Sequence, residues 1–550
     1  THNGEGPRNA TGNSNQGGQI KGNITQELDN GFVRFNFKAL DDQSPLFMPV
    51  PVKISKGTVS ELPGIDPRMA SMYSPYWVKD FTLAKNNTMV GTDVNDGLRV
   101  KQNSFGVEAD LKLADGWKLS EKFRHASMSG RFVGLFPADD VTAAPAGTKY
   151  ATGPNAGKAY TGNAFTNTVF NTSMDDMGST TNDFKLSKTF AQADGAKLNT
   201  TFGLFMNVQK VGLTWNFNQY LMQATDKNPA LLSNSTTNSY GATALGSDVW
   251  GGCCTRAIDA TYNTTSPYAV IGWEKGAWTL DGSIRRDNQV ATGSYNQAVA
   301  NQFKPGNAQA INYTKEHTSY SFGGNYQLDK DLALFARVSE GVAFNADRIM
   351  FGSASVPMAG GAGVVPINTV QQYEGGVKMR SGNLSTFVTL FQAKTDESNF
   401  DATTQKSTAN KYDAKGIEIE AGYKMGAFRI NGGLTLTDAK IVSSGLTPNR
   451  QAKAVYQLSP TYSTGALTVG AAIVGSSSAK DAQGTPYEAT LPAYTVVNGF
   501  ANYAISKDLT ATFGVYNLTN TIGYTEINDG RMAARSINGR SAKAGLKYTF

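Results

Sequence analysis

Three histidines, two cysteines and a scatter of carboxylates are the side chains from which catalytic or metal chemistry could be built, and their spacing argues against both. His2, His125 and His317 are far apart, so no two share the local spacing of a zinc ligand pair. His125 follows Arg124 at the end of a strand-like segment, and His317 sits in TKEHTS. Neither has the serine and carboxylate neighbours from which a triad could be argued. Cys253 and Cys254 are adjacent in WGGCCTR. A disulfide between neighbours closes a strained ring, so free thiols, or an oxidation that pins a loop tip, are further readings. Metal capture by two thiolates would lack other ligands nearby. Glu418 and Glu420 point the same way, but period-two spacing along one strand accounts for that without a catalytic pair. The glycines of GGAG (360–363) have no strand–helix context for phosphate binding. The expectation is a protein without catalytic residues, metal site or cofactor, and not an enzyme.

Two other sets of side chains could act collectively. Arg34, Lys38, Glu108, Asp110, Lys112, Lys122, Arg124, Glu418, Glu420, Lys424 and Arg429 stand at alternate positions of strand-like segments, where they would share one face. Such a face could hold another domain by salt bridges or guide a polar solute. A wet barrel lumen is also polar by construction, which explains any one of these residues without a function. The second set is aromatic: Tyr73, Tyr76 and Trp77 in SMYSPYWVKD, with Trp250 near the cysteines. Aromatic faces stack on sugar rings or planar ligands. Packing among themselves to order a long loop is the competing reading.

The elements that carry these residues are strands. In FVRFNFKA, Val33, Phe35, Phe37 and Ala39 alternate with Arg34, Asn36 and Lys38. In SFGVEADLKLADGWKL, Phe105, Val107, Ala109 and Leu111 oppose Ser104, Glu108, Asp110 and Lys112. In KGIEIEAGYKMGAFRINGGLTLT the two faces alternate again on both sides of a tight turn. Strict period two over about ten residues is a strand signal, and about ten residues span a bilayer when tilted. The mean hydropathy of −0.33, with no apolar run near ~20 residues, excludes a helical membrane protein. The net charge of +6 is mild for this length, and without a basic cluster nucleic acid is not an expected partner.

Tight turns, such as DNG (29–31), ADG (114–116), ADGAK (193–197), EKGA (274–277) and SGN (381–383), alternate with long polar loops. That rhythm is the signature of an outer-membrane β-barrel. A β-sandwich or propeller also alternates, but its inner face would not tolerate so many charges. Trp117, Trp273, Trp278, Tyr423 and Phe428 flank the short turns as an interfacial girdle would. The expected organisation is a Gly/Asn-rich, loop-like segment over 1–18 and a barrel over 19–550. Its long loops are expected at 42–98, 134–181, 222–255 and 342–368. The chain ends in GRSAKAGLKYTF, where Ala542, Ala544, Leu546, Tyr548 and Phe550 alternate with polar residues. In a closed barrel this last strand would pair with the first. A chain otherwise free of thiols suits an oxidising envelope compartment. No signal peptide opens the sequence, which points to processing or an upstream truncation.

Several segments resemble the barrel of a TonB-dependent receptor. They are DDQSPLFMPVPV (41–52), LADGWKLSEKFRH (113–125), LFARVSEGVAFNADR (334–348), QQYEGGVKMRSGN (371–383) and YDAKGIEIEAGY (412–423). The most telling are LPAYTVVNGFANYAISKDLTATFGVYNLTNTIGY (491–524) and the closing strand 539–550. The resemblance implies an all-β transmembrane antiparallel barrel of 22 strands, filled by a plug domain. About 19–20 strands are visible here and no plug is evident, so at least one strand and the plug are expected upstream of Thr1. It further implies the outer membrane of a Gram-negative bacterium, with its lipid and lipopolysaccharide, as the setting. A TonB complex, acting through the upstream region, would drive energy-coupled uptake of a scarce siderophore or oligosaccharide. Tyr548 and Phe550 resemble the signal read by the barrel-assembly machinery. The rival functions are a passive porin and a surface scaffold or adhesin.

Overall fold

The computed structural model describes all residues except 1, 5, 11–13, 234–254, 300–301, 345–366, 402–405, 529–530 and 550. Trp250, Cys253, Cys254 and Phe550 lie outside the described residues. The dominant element is one 22-stranded sheet. Two of its strands, His2–Gly4 and Thr142–Ala143, are short flanks. The others, in chain order, are β1 (Asn15–Leu28), β2 (Gly31–Ser44), β3 (Leu98–Lys112), β4 (Trp117–Pro137), β5 (Asn163–Asp176), β6 (Ser179–Ala191), β7 (Lys197–Gln223) and β8 (Arg256–Lys275). They continue as β9 (Trp278–Gln297), β10 (Ala308–Asp329), β11 (Leu332–Phe344), β12 (Ile367–Ser381), β13 (Leu384–Asp401), β14 (Lys406–Met425), β15 (Phe428–Ile441) and β16 (Ala454–Thr464). The last are β17 (Leu467–Ser476), β18 (Tyr494–Ala504), β19 (Leu509–Tyr516) and β20 (Ser541–Tyr548).

Successive strands pair antiparallel, a meander. Strands β5 and β6 are two parts of one crossing, because β4 and β7 each pair with both. Alternation explains the outer surface. Ile20 and Ile24 are 70% and 72% exposed, and Phe35, Phe105, Phe202, Ile284, Phe322 and Phe513 are also exposed. Leaving so much apolar surface in water would cost about 25 cal/mol per Å²; a bilayer removes that cost. At the short-turn end, Gly276, Gly382, Gly426 and Gly465 adopt φ between 52° and 57°, which closes hairpins that a Cβ would strain.

One long loop expected from the sequence is shorter in the structure. Within 134–181, β4 continues to Pro137 and residues 163–176 form β5. Alternation fails there for a physical reason. Ala164, Phe165, Asn167, Thr168, Val169, Phe170, Asn171 and Thr172 are all buried, so both faces are covered and no polar–apolar rhythm is required. The expected pairing of the last strand with the first is also absent among the described residues. Strand β20 pairs with β19 alone, and β1 pairs with β2 and, over three residues, with His2–Gly4.

The ends of the meander nevertheless meet at the long-loop end. Val50–Pro51, from the 45–97 connection, pairs with Ala533–Ala534 of the β19–β20 connection. Thr58 pairs with Thr490 of the β17–β18 connection. Buried Arg8 donates to the carbonyl oxygens of Pro67 (3.1 Å), Ala70 (3.2 Å) and Ser536 (2.5 Å). Burial, with Arg535 nearby, lowers its pKa to about 10. A meander whose first and last loops share ladders must curl into a cylinder.

Candidate functional site

The polar face of the sheet is the candidate site, and register assembles it. Arg34, Glu108 and Lys122 stand opposite one another on β2, β3 and β4. The Glu108 carboxylate lies 3.6 Å from Arg34 Nη1 and 3.2 Å from Lys122 Nζ. Lys38 donates to Gln102 Oε1 at 3.4 Å. A concavity of about 670 Å³ brings Lys38, Glu108, Lys122 and Arg124 together. Further round, Tyr268 donates to Asp183 at 2.8 Å, and Lys185 approaches that carboxylate at 2.9 Å. Asp287 accepts from Ser266 (2.6 Å) and Arg285 (2.7 Å), and Arg337 pairs with Asp281 at 2.8 Å.

From β14 onward the wall is different. Glu418, Glu420, Lys424 and Arg429 are exposed, and they form no ion pair among the described residues. A concavity of about 450 Å³ holds Glu420, Lys424, Arg429 and Asn431 together. Asp110 and Arg124 likewise have no ionic partner among the described residues. One part of the wall is therefore satisfied internally, and another presents charges to whatever occupies the interior.

The loop aromatics are placed otherwise than a stacking site requires. Tyr73 is 0% and Trp77 1% exposed, in a core with Val133, Leu135, Phe165 and Met222. Trp77 lies 4.7 Å from the Tyr220 ring and donates to the Lys79 carbonyl at 3.1 Å. Tyr73 donates to the Val133 carbonyl at 3.3 Å and accepts from Leu46 N at 3.1 Å; burial raises its hydroxyl pKa. Both order the loop and offer no face to a ligand. Tyr76 is half-buried, its ring against Gly153. Trp250 lies outside the described residues, and Tyr548 is exposed on the last strand.

What the sequence reading missed is how that loop is fastened. Its hairpin (Lys79–Leu83 with Met89–Asp93) docks onto β5 and β7 through side-chain amides. Asn216 accepts from Leu83 N at 2.8 Å and donates back to Leu83 O at 3.4 Å. Asn218 donates to Phe81 O at 2.7 Å. Asp80, fully buried, accepts from Asn171 (2.7 Å), Asn218 (2.6 Å) and Tyr220 (2.5 Å). Arg131 extends the network by donating to Asn171 Oδ1 at 2.8 Å. Burial outweighs these donors and holds the Asp80 carboxyl above the usual carboxylate range. The only trace in the sequence is asparagine at alternate positions in WNFNQY (215–220).

A second anchor is buried Asp481. It accepts from Arg450 Nε (3.0 Å), Ala482 N (2.9 Å) and Ile527 N (2.6 Å), joining three loops.

A family model described as TonB dependent receptor-like, beta-barrel, matches residues 56–518. The chain is similar to the siderophore receptor PiuA from Acinetobacter baumannii, at 16% identity and a TM-score of 0.64, over 97% of this chain and 74% of that one. It is similar to the ferric-catecholate import receptor Fiu from K12 E. coli, at 15% identity and a TM-score of 0.67, over 98% and 75% of the two chains. A third similarity is to BauA, the ferric preacinetobactin receptor from Acinetobacter baumannii, at 14% identity and a TM-score of 0.64, over 100% and 74%. No curated protein matches the sequence.

Proposed function

The chain belongs to the TonB-dependent receptor-like β-barrel family, placing it in the outer membrane of a Gram-negative bacterium, and from that premise we propose that it is the barrel of an energy-coupled importer. Its cargo is a scarce nutrient of the siderophore or oligosaccharide class, and the siderophore reading is favoured by the names of the similar structures. The long loops form the outer mouth. A plug encoded upstream fills the lumen, and the TonB complex pulls on that plug to release cargo that binding alone would hold. Tyr548 and Phe550 serve as the assembly signal.

The observation that carries this reading is the uneven charge of the lumen wall. Glu418, Glu420, Lys424 and Arg429 are exposed and unpaired among the described residues, as suits a wall with a second protein surface to meet. A passive pore needs only a wet wall. Accumulation of labelled ferric catecholate by iron-limited cells carrying the full receptor separates the two. Uptake that a protonophore stops supports coupling, whereas entry that continues under the protonophore means a passive pore.

A further inference from the structure

One side of the barrel carries polar groups at the depth of the acyl chains. On β4, Trp117, Leu119, Glu121 and Phe123 share the lipid face, and Lys122 and Arg124 stand on the lumen face between and beyond them. Register sets Glu121 between Ala109 of β3 and Phe184 of β6, with Phe123 beside Asn182. The Asn182 amide donates to Glu121 Oε1 across that diagonal. One row higher, His125 Nδ1 and Thr180 Oγ1 lie 2.8 Å apart. Depth follows from Trp117, which stands at the short-turn girdle with the Phe190 ring 6.3 Å away. Four residues of a strand tilted by about 45° climb about 9 Å, so Glu121 lies inside an apolar band about 25 Å tall. The facing wall shows what lipid normally meets. It presents Val388, Ile419 and Leu434 in one row and Leu390, Ile417 and Leu436 in the next.

We propose that this face is where a second copy of the chain docks in the plane of the membrane. Among the described residues, no hydrogen bond but that between them reaches Glu121 or Asn182. A carboxyl oxygen and an amide N–H are thus left over in hydrocarbon, where an unmade hydrogen bond costs most. Together they form an acceptor and a donor at one depth. A two-fold axis along the membrane normal sets each residue against residues of its own depth, and an isologous contact needs a patch that complements itself. Here the Asn182 N–H of one copy donates to the Glu121 carboxyl of the other, and the reverse. Both bonds form whether or not the carboxyl carries a proton. Another membrane protein would need a matching pair at the same depth, whereas an identical copy has one by construction. Leu119, Phe123 and Phe184 surround the pair and supply the apolar contact that excludes lipid.

The test is cross-linking in native outer membranes, on the full receptor with Cys253 and Cys254 replaced by serine. Under a membrane-permeant oxidant, Phe123→Cys should give a disulfide-linked species of twice the monomer mass. Val388→Cys, on the facing wall, should not. Adding Glu121→Leu/Asn182→Leu to Phe123→Cys should lower the cross-linked fraction about tenfold, through the loss of two interchain hydrogen bonds. Equal cross-linking at Val388→Cys means random collision and overturns the proposal. So does a Phe123→Cys adduct with a different protein, an absence of any adduct, or a cross-link that the two leucines leave unchanged. Where a variant fails to assemble, native mass spectrometry of the wild-type receptor in a mild detergent decides: dimers are expected, and monomers alone overturn the proposal.

Discussion

Asp80 shows how much a single side chain can carry in a loop that has no regular core of its own. Three donors converge on its carboxylate from β5 and β7. Asp80→Ala would leave the Tyr220 hydroxyl buried without its acceptor, at about 1–3 kcal/mol, and would take one acceptor each from the Asn171 and Asn218 amides, which keep Thr92 Oγ1 and Phe81 O. We expect the 45–97 connection to become protease-sensitive while the barrel stays folded, read by limited proteolysis and gel mobility. The pH dependence has a definite sign. A carboxyl whose folded value is raised binds its proton more tightly folded than unfolded. Its contribution is full below the unfolded value near ~3.9 and is lost as pH rises through the raised value. Loop protection should therefore fall with rising pH in the wild type and vary less in Asp80→Asn. None of this was legible in VKDFT itself, because the partners lie 91–140 positions away. The lumen charges were legible, since Arg34 and Glu108 declare their face through their immediate neighbours. For Tyr73 and Trp77 the sequence left stacking on a ligand and packing within the loop both open, and the structure buries both side chains.

Strands were read well where lipid and water solvate opposite faces, and badly where protein covers both. Strand β2 alternates because Phe35 and Phe37 meet lipid while Arg34 and Lys38 meet the lumen. Strand β5 does not, because loop and wall enclose it. The tight turns were legible from glycine, and one of them supplies a test. A Cβ on Gly31 would lie 1.9 Å from the Asp110 carbonyl oxygen of the neighbouring strand, whereas one on Gly499 would meet nothing within 4 Å. Gly31→Ala should lower stability by about 1–3 kcal/mol, measured as the guanidinium midpoint in micelles. Gly499→Ala should change it far less.

At the scale of the molecule, the 45–97 connection shares ladders with the β19–β20 connection at Val50–Ala534 and with the β17–β18 connection at Thr58–Thr490. No local pattern announces such pairing, because each partner is only two to four residues long. The similar structures are longer than this chain, which covers 74–75% of three of them. On the proposed function, the protein extracted from native outer membranes should have a mass above 58.7 kDa by a plug of ~100 residues or more. A mature chain beginning at Thr1 would instead favour the pore reading. The way the outer hairpin is fastened has a different kind of consequence. Asn216 and Asn218 grip main-chain atoms of Leu83 and Phe81, and every residue type but proline offers such atoms. Those two grips do not read the identity of what they hold, whereas Asp80, Lys85, Asn87 and Thr92 are fastened through their own side chains. Exposed positions such as Lys79, Met89 and Val90 can thus diversify under pressure from phage or antibodies while the hairpin keeps its seat.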